Sequence, residues 1–319
     1  MRISDERLQH ILNLCAEHGE DKSTMLLDLQ HDTLRRYKDL AERRGITAEH
    51  KRIKLPKILL LDIETSLMRF YGWAPGKQYV GPDQIETDWH MLGWAVKWLF
   101  GTEIYSDILT PEEGTNHDDE RVTESLWGFL DDADIVIAHN ALNFDIPKIM
   151  ARVIAHKKMP PSPFQIIDTL QAARSIGRFS SNKQDELAKL FGLRRKVEHE
   201  GYNLWIKCFK GDPEALLKME EYNRGDTTGL EDLYLFIRPY MKSHPNIALY
   251  MDNEQTSCYK CGSTQIEWLY DDSGEPKYYF TNVNRYHAYR CTECNSLGRS
   301  RHSAMSKEDR IHITSPIAR

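Results

Sequence analysis

Three short acidic patterns follow one another along the chain, and they limit its possible folds more than any other feature of the sequence. The patterns are Asp62-x-Glu64, Asn140-x-x-x-Phe144-Asp145 and Tyr222-x-x-x-Asp226. Carboxylates that converge from distant segments can hold two divalent metal ions, and such ions about 4 Å apart clamp the attacking and leaving oxygens of a phosphodiester. The patterns therefore predict a fold that gathers these segments for metal-dependent cutting of nucleic acid.

The first pattern follows a short apolar run, residues 57–61, which indicates a buried strand. Asp62 comes directly after this run. An ionised group at the end of a core strand costs free energy unless it is paired or bound to metal. The alternative interpretation is a capped strand end, in which Asp62 and Glu64 lead into a turn at Thr65 and Ser66.

The second pattern lies where a predicted strand, 134–138, passes into a predicted helix, 144–154. Asp145 falls in the first turn of that helix. Ordinary explanations stay open here, because the helix dipole stabilises a carboxylate at this position. Phe144 also fits a hydrophobic core, and Asn140 fits a turn.

The third pattern lies on a long predicted helix that Asp212 caps at its N-terminus. Tyr222 and Asp226 are four residues apart, so they lie on one face of that helix. The alternative is an aromatic ring resting on the core beside a solvated carboxylate. The same spacing recurs at Tyr79 and Asp83, but in a stretch interrupted by glycine and proline. The helix is also marked by apolar residues at helical spacing, which are Leu216, Leu217, Met219, Leu230, Leu233 and Ile237.

In this order and on these elements, the patterns resemble the DEDD superfamily of 3′-5′ exonucleases, specifically its tyrosine subclass. The resemblance covers residues 57–240 and is greatest to the exonuclease domains of family-B DNA polymerases. The rest of this segment agrees with a ribonuclease H-like α/β fold. Strands are predicted at 91–100 and 103–109 as an antiparallel pair and at 164–167. Helices are predicted at 121–130 and from a capping box at 181–184 through Phe191.

The resemblance also implies a role for each residue of the patterns. Asp62, Glu64 and Asp226 would hold one Mg²⁺ or Mn²⁺ ion, and Asp62 would bridge to a second ion that Asp145 supports. Tyr222 would position the attacking water. The residues implied to contact the terminal nucleotides or to line the 3′-terminal pocket are Asn140, Phe144, Thr65 and Leu67. Asp168 is a secondary candidate, with a helix cap as its ordinary role.

Cysteine spacing gives a second signal near the C-terminal end. The two Cys-x-x-Cys pairs, Cys258/Cys261 and Cys291/Cys294, are typical of a structural zinc site with four thiolate ligands. Residues 266–270, 278–280 and 286–289 predict a small sheet between the pairs. So small a sheet needs the metal to supply folding free energy. Zinc is favoured over disulfides for a chain expected in the cytosol. Cys15 and Cys208 are predicted to be ordinary buried residues.

The N-terminal segment predicts helices at 7–17, 22–29 and 32–44. This succession resembles the helix-turn-helix segments that precede nuclease domains in bacteriophage proteins. A plain helical packing domain explains it equally well. Residues 47–56 are predicted to form a basic linker.

Composition limits the class of protein. The chain has 319 residues, of which 40% are hydrophobic and 28% charged, as in globular domains. The sequence contains neither an apolar run long enough to span a membrane nor signal-peptide character, which predicts a cytoplasmic protein. A net charge of −6 argues against a surface that attracts DNA everywhere. Local clusters can still contact phosphates, namely Arg35, Arg36, Lys38, Arg43, Arg44, Lys51, Arg52, Lys54 and Lys57, and then Arg285, Arg290, Arg299, Arg301, Lys307 and Arg310.

The sequence thus predicts an α/β protein with a ribonuclease H-like exonuclease core at 57–245. A helical domain at 1–46 precedes it, and a zinc ribbon at 251–305 and a tail at 306–319 follow. The expected activity is 3′-5′ hydrolysis of single-stranded or frayed DNA, by the chain alone or within a polymerase or repair complex. Alternatives are an RNA 3′-exonuclease, an endonuclease or resolvase, and a non-catalytic DNA-binding regulator.

Overall fold

The computed structural model describes residues 3–18, 29–46, 55–194, 201–251 and 255–314. Five strands form one mixed sheet in the order β5-β4-β1-β6-β7, and β2 and β3 form a separate hairpin. The bounds of these strands are β1 (Ile58–Thr65), β2 (Arg69–Phe70), β3 (Ile85–Thr87), β4 (Met91–Trp98), β5 (Ile104–Ile108), β6 (Ile135–Ala138) and β7 (Gln165–Asp168). The mixed sheet confirms the predicted α/β class.

The helices within these ranges are α1 (Asp5–His18), α2 (His31–Arg43), α3 (Pro111–Asn116), α4 (Glu120–Asp132), α5 (Asp145–Ala155), α6 (Thr169–Ile176), α7 (Gln184–Phe191), α8 (Tyr202–Phe209), α9 (Pro213–Ile237) and α10 (Lys307–Ile311). Among the helices just given, none combines the length and apolar character that crossing a membrane requires. A smaller C-terminal sheet contains β8 (Ile266–Trp268), β9 (Tyr278–Phe280), β10 (Arg285–Cys291) and β11 (Leu297–Arg299). The strand β11 was not predicted.

Strand β1 lies at the centre of the large sheet and is longer than the sequence predicts. The apolar run indicated a strand that stops before Asp62, but β1 continues to Thr65. It continues because β4 pairs with it antiparallel to the end, whereas parallel pairing with β6 stops at Leu60 and Ile137. The last residues of β1 therefore have a hydrogen-bonded strand on one side only.

Alternate residues of β1 enter two apolar clusters, as the two-residue period of a strand requires. Leu59, Leu61 and Ile63 belong to one cluster, and Leu60 belongs to the other. The helix α9 contributes its first half to the first cluster and its second half, from Leu230 onward, to the second. This long helix therefore spans both clusters while contacting β1 and β4.

Polar contacts fix α9 against the sheet. The Thr227 hydroxyl donates to the Ala95 carbonyl of β4 at 3.2 Å. Lys97 of β4 forms a largely buried ion pair with Glu231, whose carboxylate also accepts from the Phe100 N–H at 2.9 Å. These bonds set the position of the helix along the strand as well as its distance from the sheet.

Two apolar side chains of these helices are exposed. Leu217 of α9 is 64% exposed and Ile154 of α5 is 70% exposed. Each directly follows a residue that points into the core, Leu216 and Val153 respectively. Because successive helical residues are rotated by about 100°, the neighbours face outward.

The helix caps agree with the sequence in part. Asp212 caps α9 as predicted, accepting from the Ala215 N–H at 2.9 Å. The capping box predicted for α7 is wrong, because its N-cap residue Lys183 makes no side-chain cap. Gln184 is instead buried and donates to the Asp226 carbonyl at 2.8 Å. The long-range hydrogen bond to Asp226 has replaced the local capping interaction that was expected for Gln184.

The N-terminal helices α1 and α2 lie close to their predicted positions. Arg44, just after α2, pairs with Asp5 at the start of α1 at 2.6 Å. The predicted helix at 22–29 lies outside the described residues except for Leu29, and so does most of the linker at 47–56. The helix-turn-helix interpretation therefore stays a prediction.

Asp119 connects three elements of the core. Its carboxylate is fully buried and accepts from the Met91 N–H of β4 at 2.7 Å. The guanidinium of Arg152 in α5 donates to it twice at 2.6 Å, and Nε2 of His156 lies 2.7 Å away. Burial alone would raise the pKa of Asp119, but these partners hold it below its usual value.

Replacement of Asp119 with alanine should lower the free energy of unfolding by about 3–5 kcal/mol, because the Arg152 guanidinium loses its buried partner. Urea unfolding followed by tryptophan fluorescence measures the change. Exposed Asp272 gives a matched control, at which alanine should change the free energy by less than about 0.5 kcal/mol. Similar losses in the two variants would contradict this account.

Candidate metal centres

Three of the predicted carboxylates meet at the end of β1. Asp62 and Glu64 alternate with Ile63 along the strand, so they point to one face of the sheet. The helix α9 places Asp226 against that same face. One ligand oxygen from each of Asp62, Glu64 and Asp226 lies within 4.8 Å of the other two.

This group has the chemistry of a site for a hard divalent cation. Carboxylate oxygens are the ligands that Mg²⁺ and Mn²⁺ prefer. Asp226 is 2% exposed, and Asp62 and Glu64 are half-buried. Because desolvation and mutual repulsion both disfavour adjacent charged carboxylates, a bound cation would relieve a real electrostatic cost. The residues present therefore fit such an ion.

Asn223 belongs to this site, although the sequence did not single it out. Its Nδ2 donates to Oδ2 of Asp62 at 2.7 Å, and its side chain is 2% exposed. It lies three residues before Asp226, on the buried side of α9. An amide among the apolar residues of a buried helical face was the signal available in the sequence.

Asp145 contacts the main chain of β1 at Ile63 and is outside the group of three carboxylates. It is buried in the first turn of α5, and the Ile63 N–H donates to its carboxylate. Burial raises its pKa to about 7, and repulsion from Asp168 adds to the rise. The contact with Ile63 places Asp145 next to the strand residue that separates Asp62 from Glu64.

The turn that carries Asn140 is organised by Asp168. Asn140 has a positive φ of 82°, and its N–H donates to Asp168 at 3.2 Å. The Leu142 N–H donates to the same carboxylate at 3.1 Å. Asp168 also caps α6 by accepting from Leu170 and Gln171. The expected helix cap is thus present, and the same side chain supports the turn before Asp145.

The remaining predicted site residues lie within a few positions of the predicted carboxylates in the sequence. Tyr222 is nearly buried, one turn before Asp226, and its ring meets the edge of the Trp205 ring at 6.2 Å between centroids. Thr65 is the last residue of β1, and half-buried Leu67 follows it. Phe144 is half-buried at the N-terminus of α5 and packs against the first apolar cluster.

The four cysteines of the C-terminal region form a second candidate centre. Their Sγ atoms lie within 4.8 Å of one another, with Cys258 and Cys294 at 3.7 Å and Cys261 and Cys291 at 3.6 Å. Tetrahedral zinc with Zn–S bonds of about 2.3 Å requires Sγ–Sγ distances of about 3.8 Å. A disulfide requires about 2.05 Å. The spacing therefore fits zinc and excludes disulfides between the cysteines as they are placed.

A lysine between the first two cysteines joins this region to the core. Lys260 is 2% exposed and donates to the carbonyls of Arg238 and Pro239, both at 2.9 Å, just after α9 ends. Burial lowers the pKa of its ammonium group. A cation there complements the negative end of the helix dipole. Gly262 has a positive φ of 77°, which glycine adopts without strain, and a Cβ there would collide with Met251.

The two other cysteines lie apart from this cluster. Cys208 is buried in the first apolar cluster, as predicted. Cys15 is only partly buried, so the expectation of a fully buried residue was wrong. Its helix α1 packs against α2.

Loss of the Asn223 amide should weaken binding of Mn²⁺ by about 10- to 100-fold, because an outer hydrogen bond that orients a ligand has this effect in metal sites. Calorimetric titration of the Asn223→Ala variant measures the affinity. Glu221 provides a control on the exposed side of the same helix. Unchanged Mn²⁺ affinity in Asn223→Ala would mean that Asp62 keeps its orientation without this bond.

Removal of zinc should unfold residues 255–314 while the large sheet stays folded, because the small sheet has little apolar core of its own. Limited proteolysis with mass spectrometry should then detect early cuts in that region alone. Cys291→Ser should lose about one zinc per chain, whereas Cys15→Ser should keep it. Simultaneous digestion of both regions would contradict this prediction.

Comparison with known protein families found a similarity for the centre of the chain. A model of the RNase H superfamily matches residues 90–237. The match includes Asp145, Tyr222 and Asp226 and begins after Asp62 and Glu64. Comparison with curated proteins found no match. Residues 90–237 of this mixed α/β fold are therefore similar to the RNase H superfamily, and this similarity supports an RNase H-like nuclease.

Proposed function

We propose that this chain is a metal-dependent 3′-5′ exonuclease that hydrolyses phosphodiester bonds at single-stranded or frayed 3′ ends, with DNA as the favoured substrate. The observation that carries the proposal is the meeting of Asp62, Glu64 and Asp226 within 4.8 Å. Tyr222 lies one helical turn from Asp226, in the spacing of the tyrosine subclass. The RNase H superfamily match supports the nuclease class.

Each of the site residues would have a separate role in hydrolysis. Asp62, Glu64 and Asp226 would hold one divalent cation, and Asp145 would support a second from beside β1. Two such cations would supply activation of water and stabilisation of the departing 3′ oxygen. The phenol of Tyr222 would orient the attacking water, since it projects from the same helix as Asp226.

Preference for a chain end follows from the residues that flank the carboxylates. Asn140 and Phe144 adjoin Asp145, and Thr65 and Leu67 follow Glu64 in the chain. We assign to these four residues the contacts with the terminal nucleotides. An enzyme that cuts internally would not need such contacts.

Each part of the chain would have its own role. Catalysis belongs to 57–245, and a structural zinc ion belongs to the ribbon at 251–305. The N-terminal segment 1–46 and the basic segment 47–56 would add contacts to phosphates. A non-catalytic regulator is disfavoured, because clustered carboxylates repel nucleic acid and give a binding module no benefit.

With Mg²⁺ or Mn²⁺, the chain should shorten 5′-labelled single-stranded DNA stepwise from its 3′ end. Asp62→Ala and Asp226→Ala should each lower the rate more than about a thousandfold, because each removes a ligand of the metal site. Gel analysis of the labelled products measures the rate. Labelled RNA of the same sequence, digested in parallel, tests the preference for the sugar.

Asp83→Ala is the matched control, since Tyr79 and Asp83 repeat the Tyr-x-x-x-Asp spacing in an exposed loop. This variant should keep normal activity. Full activity in Asp62→Ala would refute the assigned site. Internal cuts in a circular strand would favour an endonuclease, and failure to degrade any nucleic acid would favour the regulator.

A further inference from the structure

The small C-terminal sheet borders a groove of about 900 Å³ that lies apart from the carboxylates. One side of the groove is formed by β9, β10 and β11, and the other by the segment that connects α9 to the first cysteine pair. Aromatic residues are unusually concentrated in it. The tyrosines that line the groove are Tyr259, Tyr278, Tyr279, Tyr286 and Tyr289.

Three of the lining side chains form a stacked unit on the surface. The Arg299 guanidinium lies 3.9 Å from the ring centroid of Tyr286 and 5.6 Å from that of Tyr279. Tyr286 pairs with Tyr279 between β10 and β9, and Arg299 pairs with Ala288 between β11 and β10. Because Tyr286 and Ala288 are two residues apart in one strand, the unit projects from one face.

This unit is accessible to a ligand. Tyr279 is 55% exposed, and Arg299 is also exposed. Both residues lie on strands of the sheet and not on a long loop, so the Tyr279 ring and the Arg299 guanidinium are held in position. An exposed tyrosine beside an arginine offers a flat apolar face together with hydrogen-bond donors.

The neighbouring wall of the groove is also fixed by packing. A Cβ at Gly298 would lie 2.3 Å from the Tyr289 ring, so only glycine allows that ring to lie across β11. The Tyr289 hydroxyl accepts from the Tyr259 N–H at 3.3 Å. The groove is therefore a formed feature of this part of the chain.

The charge of the groove is opposite to that of the chain as a whole. The chain carries a net charge of −6, yet Lys242, Arg299 and Arg301 line the groove and none of its described lining residues is acidic. A polyanion is the complementary ligand. Tyrosine faces next to cations match a strand whose bases are unpaired, since bases within a duplex are stacked on each other.

We propose that this groove binds single-stranded nucleic acid, with a base stacked on Tyr279 and phosphates contacted by Arg299, Arg301 and Lys242, while the Tyr286 ring holds the Arg299 guanidinium in place. Binding here does not depend on the carboxylate site or on hydrolysis. The groove would hold a strand at a distance from its terminus, whatever the fate of that terminus. The ligand chemistry is shared by DNA and RNA, so both are tested.

The test uses the full chain with Asp62→Ala as background, so that any hydrolytic activity cannot shorten the probe. Fluorescence anisotropy measures binding of labelled oligo-dT and oligo-rU, and circular single-stranded DNA, which has no 3′ end, serves as competitor. Combined Tyr279→Ala and Tyr286→Ala substitutions should weaken binding at least about tenfold, because the stacking ring and the support of the Arg299 guanidinium are both lost. Arg299→Ala should also weaken it and should reduce the salt dependence by about one charge.

Matched variants separate recognition from folding. Tyr279→Phe should retain binding, since it keeps the ring. Tyr270→Ala alters an exposed residue of the same region that does not line the groove, and this variant should bind as the background does. Zinc content should be unchanged in every variant, and Arg299→Ala tests the groove independently if the tyrosine variant loses zinc.

Several outcomes would overturn the proposal. They are equal affinity of the Tyr279 and Tyr286 double variant with normal zinc content, equal affinity of Arg299→Ala, equally tight binding of duplex DNA, and failure of circular single-stranded DNA to compete. Because the assay detects binding and no cleavage, its failure would leave the proposed exonuclease activity standing. Failure of the digestion experiment would likewise leave this groove untouched.

Discussion

Repulsion among Asp62, Glu64 and Asp226 is the constraint on which the rest of the molecule depends. Their oxygens lie within 4.8 Å of one another, so the scaffold must hold them together against their charges. Antiparallel pairing with β4 fixes the strand that carries Asp62 and Glu64. The Gln184 side chain donates a hydrogen bond to the main-chain carbonyl of Asp226. Holding three carboxylates together in this way costs free energy that neutral residues at the same positions would not cost.

The sequence predicted those elements whose cause is local. The apolar run before Asp62, the capping residue Asp212 and the cysteine spacing all act over a few residues, and each is present in the structure. The length of β1 was underestimated because β4, which supports its last residues, lies about thirty positions away in the chain. Gln184 failed as a cap for a similar reason, since a partner 42 residues away binds its side chain.

The candidate site could be predicted from the sequence to a similar degree. The carboxylate patterns could be identified because acidic side chains at these spacings are typical of metal sites, and the RNase H match supports the class of activity. Asn223 was missed because only the packing of α9 on β1 turns its amide toward Asp62. The grouping of Arg299 with Tyr286 could not be predicted either, since it depends on the unpredicted strand β11 and its register.

Lys260 limits how the C-terminal region can be exchanged during evolution. Its buried ammonium satisfies main-chain oxygens at the end of the same helix that supplies Asp226 and Asn223. The C-terminal region that carries the four cysteines is consequently not an interchangeable appendage. A relative that replaced it by recombination would need another donor for the carbonyls of Arg238 and Pro239, or a different way to finish that helix. Inheritance of the two parts as one unit is the expected evolutionary outcome.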